Sequence, residues 1–354
     1  MGLRVTGLKK LSFTLLLVSL FALPMTATAV RLQHLYEAEV DAAGRDTASR
    51  DAALAQALEQ VLARLTGGGD ALQGSVAAGL LENPGRFVEQ FRFAEPPASD
   101  PTAGGLKLWV QFDGVSLARE LKQAGLPYWG PERPGVLVWL AVDNRGQRYL
   151  VSENGDEQLA ADVQQAGRQH GLPLTLPLMD LEDRQAIEFT DVWGSFSGRV
   201  ESASQRYHPQ AILTARLERR SAGQPWRGEW QLVDGGTRQT WNTRDGNLTE
   251  TLDAGIAEAA GWLARRYAVV ASAAGVHSLV VEDVRNLDDY ARVSGYLASL
   301  SPVDRVDVLR VERHTVEFNL ELSADERSLL QLIALGRVLR RVDDPSAWRF
   351  RLQP

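Results

Sequence analysis

A run of seven apolar residues at positions 136–142 constrains the fold more than any other feature of this sequence. A strand with one face in water alternates polar and apolar residues, whereas an unbroken apolar run is typical of a strand that is covered on both faces. Such a strand requires a sheet with other elements packed above and below it. The sequence therefore predicts a layered unit of strands and helices in the middle of the chain, and the 44% hydrophobic residues are enough to form its core.

Strand and helix patterns divide the chain into three predicted modules. Residues 30–130 are predicted to form an N-terminal α/β module, and residues 134–270 a central module with a mixed sheet and packed helices. Residues 275–354 show the order β-α-β-β-α, which is ferredoxin-like. The predicted fold class is therefore α/β and α+β in three small modules. Residues 127–134 and 271–275 are the predicted linkers, because they are rich in proline, glycine or small residues.

The first 29 residues are predicted to be a signal peptide. A basic segment that ends in Lys9 and Lys10 precedes a mostly apolar stretch at residues 11–23, and an Ala-x-Ala pattern ends at Ala29. As a helix this stretch is about 20 Å long, which is short of the roughly 30 Å hydrocarbon core of a bilayer. We therefore expect cleavage before Val30 and export to the periplasm. The alternative is that the segment stays uncleaved and anchors the protein to the inner membrane.

The composition excludes several kinds of site. The chain has no cysteine, which rules out disulfides, thiolate metal sites and a cysteine nucleophile. Its formal net charge of −7 argues against general nucleic-acid binding. The five histidines lack metal-ligand spacing, and Phe196 stands where a nucleophile elbow requires serine. We therefore predict no catalytic residue, no metal and no cofactor.

A dense group of acidic residues lies in the central module. Its members are Asp180, Glu182, Asp183, Glu188 and Asp191. Carboxylates at this density can hold a cation or act as an acid–base pair. Acids also favour the first turn of a helix, where they meet the positive end of its dipole. Both interpretations remain open from the sequence.

Tryptophans suggest a second candidate surface. Trp226 and Trp230 are four residues apart on a predicted strand and therefore point to the same face, and Trp241 lies on the partner strand. Together with Trp139, Trp193 and the acids Asp180, Asp183 and Asp191, they form a candidate ligand or partner surface. The alternative is that the rings fill the core, which their burial would decide.

A set of motifs resembles a known family. The motifs occupy residues 52–58, 64–67, 133–140, 171–174, 177–180, 191–194, 203–207 and 289–291. As a set they resemble DUF2066, a family of secreted proteobacterial proteins, over nearly all of the chain that follows the signal. The resemblance implies export. It carries no catalytic residues to this sequence, because the family has no established activity.

These observations favour a non-enzymatic periplasmic protein that acts as an envelope accessory, by binding or scaffolding. Small α/β modules without a catalytic motif usually offer sheet edges or grooves to partners, so we expect another envelope protein as the partner. We expect no nucleic acid, and a membrane only if the signal is retained. The alternative function is an envelope hydrolase or transferase that uses the acids between Asp180 and Asp191.

Overall fold

The computed structural model describes residues 32, 34–68, 72, 75–95, 105–272, 275–342 and 348–354. In these residues the protein is a mixed α and β structure with three β-sheets, each with helices packed on it, and this confirms the predicted fold class. The predicted signal peptide and its cleavage site lie outside the described residues. Across the described ranges, no helix combines the length and the apolar character needed to span a bilayer.

The N-terminal sheet is three-stranded and antiparallel, in the order β1-β3-β2. Its elements are β1 (Glu37–Asp41), α1 (Thr47–Thr66), α2 (Ser75–Leu81), a 3-10 turn (Pro84–Phe87), β2 (Val88–Ala94), β3 (Lys107–Phe112) and α3 (Gly114–Gln123). The sequence predicts a strand over residues 32–40, but β1 is shorter. It begins only at Glu37, because the three preceding residues form a turn.

The sequence predicts a helix with Asp46 as its cap and Gly67 as its end, and helix α1 confirms it. Asp46 caps the start: its carboxylate accepts from the Ser49 hydroxyl at 2.7 Å and from the Ser49 amide at 3.1 Å, and these two bonds hold the pKa of Asp46 below its usual value. Gly67 ends the helix with a left-handed φ of 84°. The apolar stripe is fully buried and includes Leu58 and Leu65. It packs on the N-terminal sheet and forms the core of this module.

The central sheet has the order β5-β4-β7-β8-β9, with the short β6 parallel to β4. Its strands are β4 (Val136–Asn144), β5 (Gln147–Leu150), β6 (Leu174–Thr175), β7 (Ala211–Arg219), β8 (Trp226–Asp234) and β9 (Thr237–Asp245). Its helices are α4 (Glu157–His170), α5 (Leu181–Ala186), α6 (Phe189–Trp193), α7 (Ser197–Ser204) and α8 (Leu248–Tyr267), and a 3-10 turn (Gln205–Tyr207) follows α7. The sequence predicts a strand over residues 172–178, but only β6 forms, because Pro173 and Pro177 limit backbone pairing on either side.

Strand β4 is buried on both faces, as the apolar run predicted. On one face, Val138 and Leu140 join a core with residues of α4 and α8. On the other face, Leu137 and Trp139 pack against residues of α6 and α7. These short helices cover β4 and part of β7, whereas polar side chains of β8 and β9 on the same face lie beyond them.

The sequence Asp234-Gly235-Gly236 between two predicted strands predicts a hairpin turn, and the hairpin between β8 and β9 confirms it. Gly235 and Gly236 both have a positive φ, of 53° and 80°. A two-residue hairpin turn of this kind needs two left-handed positions, which glycine adopts without strain. The turn fixes the register of β8 against β9, so that Trp230 lies opposite Trp241.

The C-terminal sheet has the order β11-β12-β10-β14-β13. Its elements are β10 (Gly275–Glu282), α9 (Leu287–Ser299), β11 (Val303–Glu312), β12 (Thr315–Leu322), α10 (Glu326–Leu335), β13 (Leu339–Arg341) and β14 (Arg349–Leu352). The first five follow the predicted order. Two further strands extend the sheet, and β14 runs parallel to β10. Strand β11 forms one outer edge.

The predicted linkers lie where the modules contact one another. Tyr128, in the first predicted linker, and Val269, which shortly precedes the second, exchange backbone hydrogen bonds of 2.8 and 2.9 Å. Lys122 of the N-terminal module forms a 2.7 Å ion pair with Asp304 of the C-terminal module and donates to Ser323 at 3.0 Å. The three modules therefore contact one another through polar bonds as well as through apolar side chains.

Candidate ligand groove of the central module

The acidic group is organised around the start of α5. Asp180 caps this helix and accepts a 3.1 Å hydrogen bond from the Asp183 amide. Asp183 is fully buried, and its carboxylate accepts from the Met179 amide at 2.8 Å, from the Tyr207 hydroxyl at 2.5 Å and from Arg206 at 2.9 Å. Burial, together with the hydrogen bond from its hydroxyl to Asp183, raises the pKa of Tyr207 to about 12.

Arg206 forms a bidentate ion pair with Asp180. Its Nη1 and Nη2 atoms donate to the two carboxylate oxygens at 2.7 and 2.9 Å, which is the paired geometry that guanidinium groups favour. These bonds hold the pKa of Asp180 well below its usual range and raise that of Arg206. The carboxylates of Asp180 and Asp183 therefore bind Arg206 and Tyr207, and these bonds hold α5 against the 3-10 turn that follows α7.

The third predicted acid also has a structural contact set. Asp191 accepts a 2.9 Å hydrogen bond from the Glu188 amide, as part of the cap of α6, and lies 3.6 Å from Arg199. In the described part of the chain, no three histidine, aspartate or glutamate side chains form a group that could hold a metal. These contacts match the helix-start interpretation of the acids.

Three of the candidate tryptophans belong to the core. Trp139 is fully buried and donates from Nε1 to Ser204 Oγ at 2.9 Å. Trp226 and Trp230 are also buried, on the face of the sheet that α8 covers. Their burial matches the interpretation that these rings fill the core rather than form a ligand surface. They are large apolar side chains on the inner face of a sheet, where burial is favourable.

The other two candidate tryptophans are half-buried. Trp241 stacks on Trp230 with their ring centroids 6.2 Å apart and their planes 3° from parallel. Trp193, at the end of α6, stacks on Phe189 with the centroids 5.2 Å apart. The guanidinium of Arg216 donates to the Trp193 carbonyl at 3.1 Å and lies 5.9 Å from the centroid of its ring. Trp193 therefore connects the helical layer to the exposed half of the sheet.

An open groove lies on that exposed half, beside the turn between α6 and α7. Its volume is about 280 Å³. Ser195, in the turn, has a left-handed φ of 56° and forms one wall together with Val192. The floor is formed by polar side chains of three neighbouring strands, which are Thr214, Arg216, Glu229, Gln231, Thr240 and Asn242.

Strand register arranges the floor in two rows. Thr214 lies opposite Gln231, which lies opposite Thr240. Arg216, Glu229 and Asn242 form the second row in the same way. Alternation along each strand places all six side chains on the face opposite α8. The result is a grid of hydrogen-bonding groups that is two residues wide and three strands long.

The charge of the groove is balanced. Arg216 forms an ion pair with Glu229 across the strands, so the one cation and the one anion of the floor face each other. The remaining floor residues are hydroxyl and amide side chains, which both donate and accept hydrogen bonds. The groove therefore offers polar recognition without a net charge.

Sequence reasoning did not find this floor, although it selected Trp193 and Asp191 beside it. Polar residues that alternate with apolar ones along a strand are typical of an ordinary solvent-facing surface. The only signal was that the polar faces of three consecutive strands carry amides and hydroxyls among their charged residues.

Comparisons with known proteins concern mainly the N-terminal module. A family model described as a domain of unknown function (DUF8605) matches residues 29–130. The DUF2066 family is not matched, so the resemblance inferred from the motifs is wrong. No curated protein matches the chain, and no solved structure matches it. The groove lies outside the segment that DUF8605 matches.

Proposed function

We propose that this protein is an exported, non-catalytic binding protein whose central groove holds a neutral, hydroxyl-rich ligand, a saccharide unit of the cell envelope. The observation that carries the proposal is the grid of six polar side chains on β7, β8 and β9 beside an open cavity. Export is supported by the signal pattern at residues 1–29, and retention of that segment as an anchor is the alternative.

The balanced charge of the floor favours a neutral ligand. An anion would meet Glu229 beside Arg216, and a cation would meet Arg216 beside Glu229. Hydroxyl groups of a sugar donate and accept at once, as do the hydroxyls of Thr214 and Thr240, whereas the amide of Asn242 offers a separate donor and acceptor. The stacked pair of Phe189 and Trp193 adds an aromatic surface near the groove.

The size of the groove fits a small ligand. Its volume of about 280 Å³ lies near the lower end of the range of small-molecule sites, which is roughly 300–1,000 Å³. Among the described residues β9 is the last strand on this side of the sheet, and its Thr240 and Asn242 line the cavity, so a longer saccharide can extend beyond this edge. The expectation that another envelope protein is the partner stays a separate prediction about the outer surface.

Titration calorimetry on the mature protein, beginning at Val30, tests this proposal. The probes are neutral disaccharides, including the N-acetylglucosamine dimer. We expect one of them to bind with a dissociation constant below about 1 mM. Replacing Asn242 by alanine should weaken binding at least tenfold, because it removes one amide of the floor.

The matched control is Arg244→Ala. Arg244 is exposed two residues farther along the same strand and lies outside the cavity. If no neutral disaccharide binds, or if Asn242→Ala and Arg244→Ala change affinity equally, the groove is not a saccharide site. Turnover of a bound saccharide would contradict the non-catalytic part of the proposal.

A further inference from the structure

Strand β11 presents an apolar outer edge in the C-terminal module. Among the described residues, no strand pairs with its outer side. Val308, Leu309 and Val311 are 40%, 56% and 65% exposed. An exposed edge strand with apolar side chains is a template for pairing with another strand. A surface of this kind requires an explanation of what covers it.

The valines of β11 continue the buried face of the sheet. Val308 lies opposite Phe318 and Val311 opposite Val316, and both partners on β12 are buried in the core. The helices of this module cover β12 but leave these two valines exposed at the edge. The register shifts by one residue between Val308 and Arg310, so Leu309 is the extra residue of a β-bulge.

The charged residues of β11 occupy its other face. Arg305 lies opposite Glu321, Asp307 opposite Asn319, Arg310 opposite Glu317 and Glu312 opposite Thr315. Along the strand the charges therefore alternate as positive, negative, positive and negative. Arg305 contacts Asp307, and Arg310 contacts Glu312, at 3.1 and 3.3 Å, so the charges lie side by side on one surface.

We propose that two copies of this chain associate by antiparallel pairing of β11 with β11 about a two-fold axis between Val308 and Leu309. In this register Asp307 lies opposite Arg310 of the second copy, and Arg305 opposite Glu312 of the second copy. Symmetry repeats both pairs, which gives four cross-strand pairs of opposite charge. Such pairs stabilise a ladder, whereas like charges in the same positions destabilise it.

The same register also matches the apolar face. It places Val306 opposite Val311 of the second copy, and Val308 opposite Leu309 of the second copy. The members of each pair are an odd number of positions apart, and in a regular strand such residues point to opposite faces. The bulge at Leu309 restores them to the same face. The position of the bulge and the order of the charges along β11 therefore both favour this same register.

The proposed pairing joins two five-stranded sheets into one continuous sheet. Because the contact is isologous, the same edge of both copies is used and the assembly closes at two chains. Asp304 precedes the paired segment and stays bound to Lys122 within its own chain. The pairing therefore leaves the contact between the N-terminal and C-terminal modules in place.

Sedimentation equilibrium of the mature protein between about 1 and 100 µM tests the dimer. We expect a mass that approaches twice that of the chain. Val311→Lys should raise the dissociation constant at least tenfold, because it places a charge on the apolar face of the edge. The control is Val276→Lys, which adds a charge at a 65% exposed valine on β10, a strand that β12 separates from the β11 edge, and should leave the dimer unchanged.

A charge exchange tests the register itself. Asp307→Arg alone places arginine opposite Arg310 of the second copy and should weaken the dimer, as should Arg310→Asp alone. The double variant restores opposite charges in every pair and should restore the dimer. A monomer at all concentrations, a dimer that Val311→Lys leaves unchanged, or failure of the double variant to recover would each overturn the proposal. Circular dichroism spectra confirm that each variant is folded.

Discussion

Arg133 donates a 2.8 Å hydrogen bond from Nη2 to the carbonyl oxygen of Arg64, in the last turn of α1. Carbonyls in the last turn of a helix lack partners within the helix. The Nη1 atom of the same guanidinium donates at 2.8 Å to the carbonyl of Gly171, just after α4. One fully buried cation therefore meets the negative ends of two helices that belong to different modules.

Removal of this cation should destabilise the protein. Arg133 also donates to the carbonyls of Gly130 and Trp129, so Arg133→Met leaves four buried acceptors without a donor. We expect the free energy of unfolding to fall by about 3 kcal/mol or more in urea denaturation. Arg220→Met is the control, because that exposed side chain should change stability by no more than about 0.5 kcal/mol. Equal effects would show that Arg133 has no special role.

The bond between Asp180 and Arg206 predicts a pH dependence. The pKa of Asp180 is lower in the folded protein than the value of about 3.9 expected in the unfolded chain. The stabilisation is therefore complete above that unfolded value and is lost as the pH falls through the lowered pKa. Asp180→Asn should lower the urea midpoint at pH 7 and flatten its decline below pH 4.

The control for this change is Glu201→Gln, at an exposed glutamate 4.0 Å from Arg238. It should leave both the urea midpoint at pH 7 and the acid limb close to those of the parent protein. An Asp180→Asn variant with an unchanged acid limb would mean that Arg206 does not stabilise the ionised carboxylate.

The hydroxyl of Tyr207 should contribute measurably to stability. Its pKa of about 12 keeps it protonated at neutral pH, so it donates to the buried carboxylate of Asp183. Tyr207→Phe removes this donor and should cost about 1–3 kcal/mol in the free energy of unfolding. In Tyr149→Phe the lost hydroxyl has no hydrogen-bond partner among the described residues, and we expect a smaller effect. A reversed order would contradict the assignment.

Two glycine positions in helices should respond in opposite directions to alanine. At Gly255 in α8, an added Cβ would lie 2.0 Å from the ring of Trp230, so Gly255→Ala should destabilise the protein by about 1–3 kcal/mol. It should also change the near-ultraviolet dichroism of the stacked Trp230 and Trp241 rings. At Gly295 in α9 nothing lies within 4 Å, and alanine should stabilise by about 0.5–1 kcal/mol. Thermal melts of both variants check this contrast.

Local signals in the sequence located the long elements well. The helix starts at Asp46 and Asn247 were readable because a capping side chain bonds to the backbone three residues ahead. The turn at Gly235 and Gly236 was readable because few residues adopt a left-handed backbone. The apolar run at 136–142 was also a local signal. Each apolar residue in it indicates that its own side of the strand is buried, so the run predicted a strand that is covered on both faces.

Features that depend on distant parts of the chain were not readable. The short helices α5 to α7 have few residues for an apolar period, and their position depends on bonds such as that of Arg206 to Asp180. The floor of the groove exists only because three strands align Thr214, Gln231 and Thr240. Arginine is mostly exposed in proteins, so the burial of Arg133 could not be expected from its type.

The paired backbones of Tyr128 and Val269 have a practical consequence for dividing this protein. The predicted linkers near these two residues suggest places at which to divide the chain into fragments. A fragment that ends there contains one residue of the backbone pair and lacks the other. A separately expressed fragment would then expose a backbone amide and carbonyl that are hydrogen-bonded to the neighbouring segment in the intact protein. Protease digestion of the intact chain is accordingly expected to spare the backbone at Tyr128 and at Val269, and to leave the modules bound together after other peptide bonds have been cleaved.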